Sequence, residues 1–180
     1  MNNRVKVALA QLDLAVGDVA GNTARIIDYA SRARDKERAD LVVFPELSIC
    51  GYPPEDLLFH AGLRQSVENA VAEIRDQVFG IAVLIGFPEY DNGRIYNSCA
   101  VLLDGHVISK YRKHLLPNYS VFDEERYFTA GKDAAVFTLK GVRIGLNICE
   151  DVWSPGPIAA ARSAGAECVV ANKGSPFEVH

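Results

Sequence analysis

The four cysteines, Cys50, Cys99, Cys149 and Cys168, stand far apart, and no Cys-x-x-Cys pair occurs. The four histidines are equally scattered. This pattern argues against a structural zinc site or a thioredoxin-like redox centre. Long apolar runs are missing too. The opening "MNNRVKVALAQLD" holds too short an apolar stretch for a signal peptide or a membrane span. A cytoplasmic setting with no membrane partner is therefore expected. Nor is there a block of one charge sign: the net charge of −4 is spread along the chain. That argues against nucleic acid as the partner. Internal repeats, low-complexity tracts and long linkers are absent as well.

What is present is an ordinary globular balance: 180 residues, 49% apolar and 23% charged. Such a length suits one domain, with a core that needs no disulfides. Residues 5–14 read as a strand. Residues 22–39 read as an amphipathic helix, with Ile26, Ile27, Ala30 and Ala33 on one face and Asn22 as the N-cap. A short buried strand is expected over 41–46, then a loop marked by Gly51, Pro53 and Pro54. Leu63, Val67, Ala70, Val71, Ile74 and Val78 place a second helix over 63–78.

Beyond this helix the apolar period changes. Residues 81–90, 94–104 and 106–113 are strand-like and joined by "DNG" and "DG" turn signals, as in a hairpin meander. A polar loop, 114–131, precedes another hairpin about Gly141. A short helix over 156–166 and a strand over 167–173 follow. Strands alternating with helices at both ends, and paired as hairpins between, predict an α/β layer fold with a mixed sheet or two sheets.

Three polar side chains sit where apolar runs end: Glu46 after "LVVFP", Lys113 after "VISKYR" and Cys149 after "IGLNI". Catalytic groups often occupy such strand ends. A free thiol has a pKa of ~8.5 and is mostly protonated at neutral pH. A carboxylate could take its proton, and an ammonium could favour the thiolate and stabilise an oxyanion. Attack on an amide would then give a thioester and ammonia. If 147–151 stay extended, Glu150 points away from Cys149, and Asp151 shares its face further along the strand. Blander roles remain open at this level. Glu46 could cap a loop, Lys113 belongs to the basic "KYRKH", and Cys149 could be core. A papain-like arrangement would instead need a histidine base, from His60, His106, His114 or His180.

The segments "VVFPELSICGYPPEDLL", "KYRKHLLPNYSVFDEERYFTAG" and "GVRIGLNICEDVWSPGP" resemble the three signature segments of the nitrilase, or carbon–nitrogen hydrolase, superfamily. The resemblance covers essentially the whole chain. It implies an α-β-β-α sandwich carrying Glu46 as general base, Lys113 as electrostatic partner and Cys149 as nucleophile. It also implies that the Glu150 backbone N–H binds the oxyanion. Within the superfamily, "GYPPEDLL", "LPNYSVFDEERYF" and "ICEDVWSPGP" are most similar to the N-terminal glutaminase domains of glutamine-dependent NAD+ synthetases. That likeness implies glutamine as substrate, with Tyr119, Glu124, Trp153 and Ser175 in its pocket and Glu124 orienting Lys113. The packing alternative is that Tyr119 and Trp153 are only aromatic filler and Glu124 pairs with Arg126.

The same likeness implies no cofactor and no metal in this chain. ATP and magnesium are expected only in a C-terminal synthetase domain, the partner that receives ammonia to make NAD+ from deamido-NAD+. No "SGGxDS"-type loop is present, and the superfamily usually continues well past this length. The sandwich is therefore expected to be incomplete at its C-terminal side, and the longer protein is expected to form a homo-oligomer. The alternatives are a stand-alone amidase acting on another ω-amide, nitrile or carbamoyl compound, and an inactive fragment.

Overall fold

In the computed structural model, which describes residues 4–119 and 122–174, the strands form two sheets. The first has five strands in chain order: β1 (Val7–Leu9), β2 (Leu41–Val43), β3 (Ala82–Asp91), β4 (Arg94–Leu103) and β5 (His106–Arg112). β1, β2 and β3 run parallel, and β3, β4 and β5 form the expected antiparallel meander. The second sheet holds β6 (Ala135–Leu139), β7 (Val142–Ile148) and β8 (Cys168–Asn172), with β6 antiparallel and β8 parallel to β7. The helices are α1 (Val19–Asp35), α2 (Ala61–Gln77) and α3 (Pro155–Ser163).

The layering follows from strand alternation. On β2, Val42 faces one way and joins Ile26, Ala30, Val67 and Ile74 of α1 and α2. Leu41 and Val43 face the other way and join Phe137, Ile144, Leu146 and Ile148 of the second sheet. Beyond that sheet, α3 packs on β7. A Cβ at Gly145 would lie 3.0 Å from the Ala161 Cβ, so the glycine is what lets this helix approach. The order of layers is thus helix, sheet, sheet, helix: the α-β-β-α sandwich.

Three local expectations are corrected. β1 spans three residues instead of 5–14. It is an edge strand whose one partner, β2, stops early because Pro45 has no N–H to donate. α1 starts at Val19, before the position expected, and its cap is Asp18, whose Oδ1 accepts from the Gly21 N–H at 3.0 Å. Asn22 is instead buried inside the helix, where it bonds the Ala15 N–H and C=O and the Ile49 C=O. The chain after β7 does not stay extended: Cys149–Trp153 forms a tight 3₁₀ turn. No helix among the described residues is long and apolar enough to cross a membrane.

Candidate active site

Glu46, Lys113 and Cys149 stand just past the C-terminal ends of β2, β5 and β7, and the two facing sheets bring them together. Lys113 is only 1% exposed. Its Nζ donates to Glu46 Oε1 at 2.7 Å and to Glu124 Oε1 at 2.8 Å. Burial alone would pull the ammonium's pKa down, but the two carboxylates outweigh it and hold the pKa above the ordinary lysine range. The side chain is therefore a fixed cation at any working pH.

Glu46 is 2% exposed and held from three sides. Besides the lysine, Asn97 Nδ2 donates to Oε1 at 2.8 Å and the Gly174 backbone N–H to Oε2 at 3.1 Å. Glycine is needed at 86, where a Cβ would stand 2.5 Å from the Leu47 nitrogen and 3.1 Å from the Glu46 carbonyl carbon. Strand β3 thus passes directly under the Glu46–Leu47 backbone that carries the carboxylate. Glu124 is buried as well, and Tyr52 Oη donates to its Oε1 at 3.0 Å. Burial, and then the nearby charge of Glu46, push the Glu124 carboxyl above the usual range, against the pull of Lys113. Two carboxylates thus share one buried ammonium.

Cys149 is buried beside this cluster. Burial first, then the Glu46 carboxylate, push its thiol up to about 11; Lys113 and the Gly174 N–H pull the other way. The resting thiol is therefore protonated at neutral pH, with the base that could take the proton already against it. Its backbone φ is +43°, a left-handed conformation for a residue with a side chain. Such conformations cost about 1–3 kcal/mol and persist only where the surroundings enforce them.

The turn after Cys149 revises the extended picture of the acids that follow. Glu150 accepts from Tyr119 Oη at 2.9 Å at the surface. Its backbone N–H lies in the first turn of a helical segment, where N–H groups have no partner within the helix. Asp151 turns inward and is buried instead of sharing a strand face with the thiol.

The other expected residues divide. Glu124 joins the cluster, while Arg126 pairs with Asp56 at 3.3 Å. Tyr119 is 56% exposed and packs edge-on against Phe122 with centroids 5.8 Å apart. Trp153 is 72% exposed, with Lys173 Nζ 4.7 Å above its ring. Both aromatics stand at the surface near the turn, not in the core. Ser175 lies outside the described residues. Of the candidate histidines, His180 lies outside the described residues, and His114 stacks on Tyr111 with ring centroids 5.0 Å apart while its Nε2 meets the Asp133 carbonyl at 3.2 Å. Among the described residues Glu46 is the carboxylate against the thiol.

A cavity of about 740 Å3 opens beside Glu46 and Gly174, with Tyr52, Phe122 and Lys173 on its walls. A second hollow of about 500 Å3 is lined by Tyr119, Glu150, Leu115 and Leu116. Among the described residues no cluster of three or more metal-binding side chains occurs. Sequence reasoning assigns no role to Tyr52, Asn97, Gly86 or Gly174. Only Asn97 carried a local signal, as an amide inside the apolar run of β4.

Comparison with known proteins yields one consistent group. The carbon-nitrogen hydrolase family matches residues 6–180. A glutamine-dependent NAD(+) synthetase of Xanthomonas campestris pv. campestris is 47% identical over 97% of this chain, which spans 32% of that protein. The Thermotoga maritima protein of the same name is 40% identical over 98% of this chain and 31% of its own length. The chain thus spans about a third of the curated relatives it matches. Among solved structures, the glutamine-dependent NAD+ synthetase of Acinetobacter baumannii superposes with a TM-score of 0.93 at 41% identity, covering 97% of this chain and 33% of that one. A variant of the Nesterenkonia AN1 amidase, from the nitrilase superfamily, superposes at 0.85 with 25% identity, covering 96% and 66%.

Proposed function

The chain belongs to the carbon-nitrogen hydrolase family, and on that premise we propose that it is the glutaminase part of a glutamine-dependent NAD+ synthetase. The observation that carries the chemistry is the buried Glu46–Lys113–Glu124 cluster set against the Cys149 thiol. The relatives at 40–47% identity support the choice of glutamine.

In the proposed reaction, Glu46 takes the Cys149 proton as the sulfur attacks the side-chain amide carbon of glutamine. The tetrahedral oxyanion is held by the Glu150 backbone N–H and the Lys113 ammonium. Glu46 returns the proton to the leaving nitrogen, and ammonia departs from the thioester. Water then gives its proton to Glu46 and attacks the thioester, releasing glutamate and restoring the thiol. Lys113 stays protonated throughout, and Glu124 with Tyr52 holds it in place. Tyr119 and Trp153 are assigned to binding glutamine, and Ser175, outside the described residues, to its α-amino end.

Residues 1–180 are assigned to one hydrolase domain. ATP and magnesium act in a C-terminal synthetase domain that consumes the ammonia, in a cytoplasmic homo-oligomer. The test is glutamine hydrolysis by the full protein. Wild type should release glutamate and ammonia, and folded Cys149→Ala should release neither. A variant as active as wild type would refute the mechanism.

The superposition on the Nesterenkonia amidase favours a second reading, an amidase acting on another ω-amide, nitrile or carbamoyl compound. A substrate panel separates the two. Strong preference for an amide other than glutamine would overturn the NAD+ assignment and leave the thiol chemistry intact.

A further inference from the structure

Asp151 is fully buried, yet among the described residues no ammonium or guanidinium bonds it. All four of its partners are N–H or O–H groups. Oδ1 accepts the backbone N–H of His114 at 3.2 Å and of Leu115 at 2.9 Å. Oδ2 accepts the Ile148 N–H at 3.1 Å and Tyr111 Oη at 2.9 Å. Tyr111 is itself steadied by Asn147 Nδ2 at 3.2 Å. A buried carboxylate with a full set of donors is a strong, geometrically exacting tie.

The places it ties are telling. The Ile148 bond closes a ring around Cys149, the residue in the left-handed conformation. The His114 and Leu115 bonds grip the chain immediately after Lys113. Tyr111 lies two residues before that lysine. One carboxylate therefore fastens the nucleophile's turn to the cation's strand end, across the gap between the two sheets. We propose that Asp151 is a positioning residue, which sets the distance and angle between the Cys149 sulfur and the Glu46–Lys113 pair. It touches no reacting atom and acts through the turn it closes.

Asparagine cannot replace it. One oxygen remains to accept, and the new NH2 must face an N–H donor on the other side. In folded Asp151→Asn the turn should relax, moving the thiol toward water and away from Glu46. The groups that face or electrostatically sense the thiol are Glu46 beyond β2, Lys113 beyond β5, the Gly174 N–H beyond β8, and the Tyr52 and Tyr119 hydroxyls. Of these, Glu46 and burial hold the thiol's pKa high, so release from them should lower it.

The inference rests on the thiol-hydrolase reading of the site, and its test does not depend on the substrate. In the full protein, the rate of Cys149 alkylation by iodoacetamide is followed against pH, with the modified peptide identified by mass spectrometry. The wild-type midpoint should lie at about 11, and that of Asp151→Asn should fall toward the ordinary ~8.5 of a free thiol. Glutamine turnover should lose kcat roughly 100-fold, the cost of a misplacement near 1 Å, with KM changed by less than about 3-fold. A role in stability alone would lower the yield or melting temperature but leave the midpoint of the folded protein unchanged. That unchanged midpoint would overturn the proposal. Should Asp151→Asn fail to fold, Tyr111→Phe removes one donor of the four and should shift the midpoint the same way by a smaller amount. No shift there would overturn it equally. If wild type does not hydrolyse glutamine, the substrate assignment fails, and the alkylation profiles still decide the role of Asp151.

Discussion

Replacing Lys113 with methionine removes the one cation between two buried carboxylates. The ammonium now lies 2.7 Å from Glu46 and 2.8 Å from Glu124, and all three groups are shielded from water. Without it, two like charges about 5 Å apart repel by roughly 3 kcal/mol at an effective dielectric of ~20. Breaking a buried pair in this way typically costs about 3–5 kcal/mol. The loss should depend on pH. In the variant the Glu124 carboxyl, which burial and the Glu46 charge already push up, loses the ammonium that pulled it down and titrates still further above its unfolded value of ~4.3. A group raised in this way contributes its stability in full below the unfolded pKa and loses it as pH rises through the folded one. The deficit relative to wild type should therefore be largest near pH 8. It should shrink toward pH 5 as a carboxyl takes up a proton, by about 1.4 kcal/mol for each tenfold gain in that carboxyl's proton affinity on folding. The assay is hydrogen exchange of the full protein, read at the Gly131 amide, which bonds the residue-113 carbonyl at 2.7 Å, and at the amide of residue 113, which bonds the Asn97 carbonyl at 2.8 Å. A deficit below about 1 kcal/mol at pH 8, or one equal at both pH values, would refute this account of the cluster.

The remaining predictions concern the supports of the same cluster. Gly86→Ala places a methyl 2.5 Å from the Leu47 nitrogen. It should destabilise by about 1–3 kcal/mol and reduce turnover by displacing Glu46, both measurable by denaturant titration and a glutaminase assay. Wild-type stability with wild-type rate would show that β3 does not buttress the backbone that carries Glu46. Tyr52→Phe deletes the 3.0 Å bond to Glu124. About 1 kcal/mol of stability should go with it, and the acid limb of the pH–rate profile should move upward as Glu124 ionises less readily. An unmoved acid limb would remove Tyr52 from the network.

Much of the architecture was legible because its causes are local. The period change near residue 81 and the "DNG" and "DG" turns place β3, β4 and β5 within a residue or two, since hairpins depend on short-range turn chemistry. The helices are legible from their buried stripes, although α1 begins early: Gly17, at φ +82°, supplies a turn that frees Asp18 to cap. The length of β1 was not legible, because an edge strand ends where its partner ends, and that partner is 34 residues away at its first pairing, Val7 with Leu41.

The candidate site divides on the same line. The sequence by itself determined that a carboxylate, an ammonium and a thiol each close an apolar strand, and in what family context. It could not determine that they meet, because Glu46 and Lys113 are 67 residues apart and joined only through the sheets. The family likeness already offered Glu124 as the residue that orients Lys113, and the tertiary structure decided for that and against the pairing with Arg126. It also decided that Asn97, Tyr52 and the Gly174 N–H complete the set, and that Asp151 faces away from the thiol to bind its turn. The physical reason is burial. A charge in a low-dielectric interior must find its donors in the folded chain, wherever in the sequence they come from. Spacing along the chain carries no trace of that requirement.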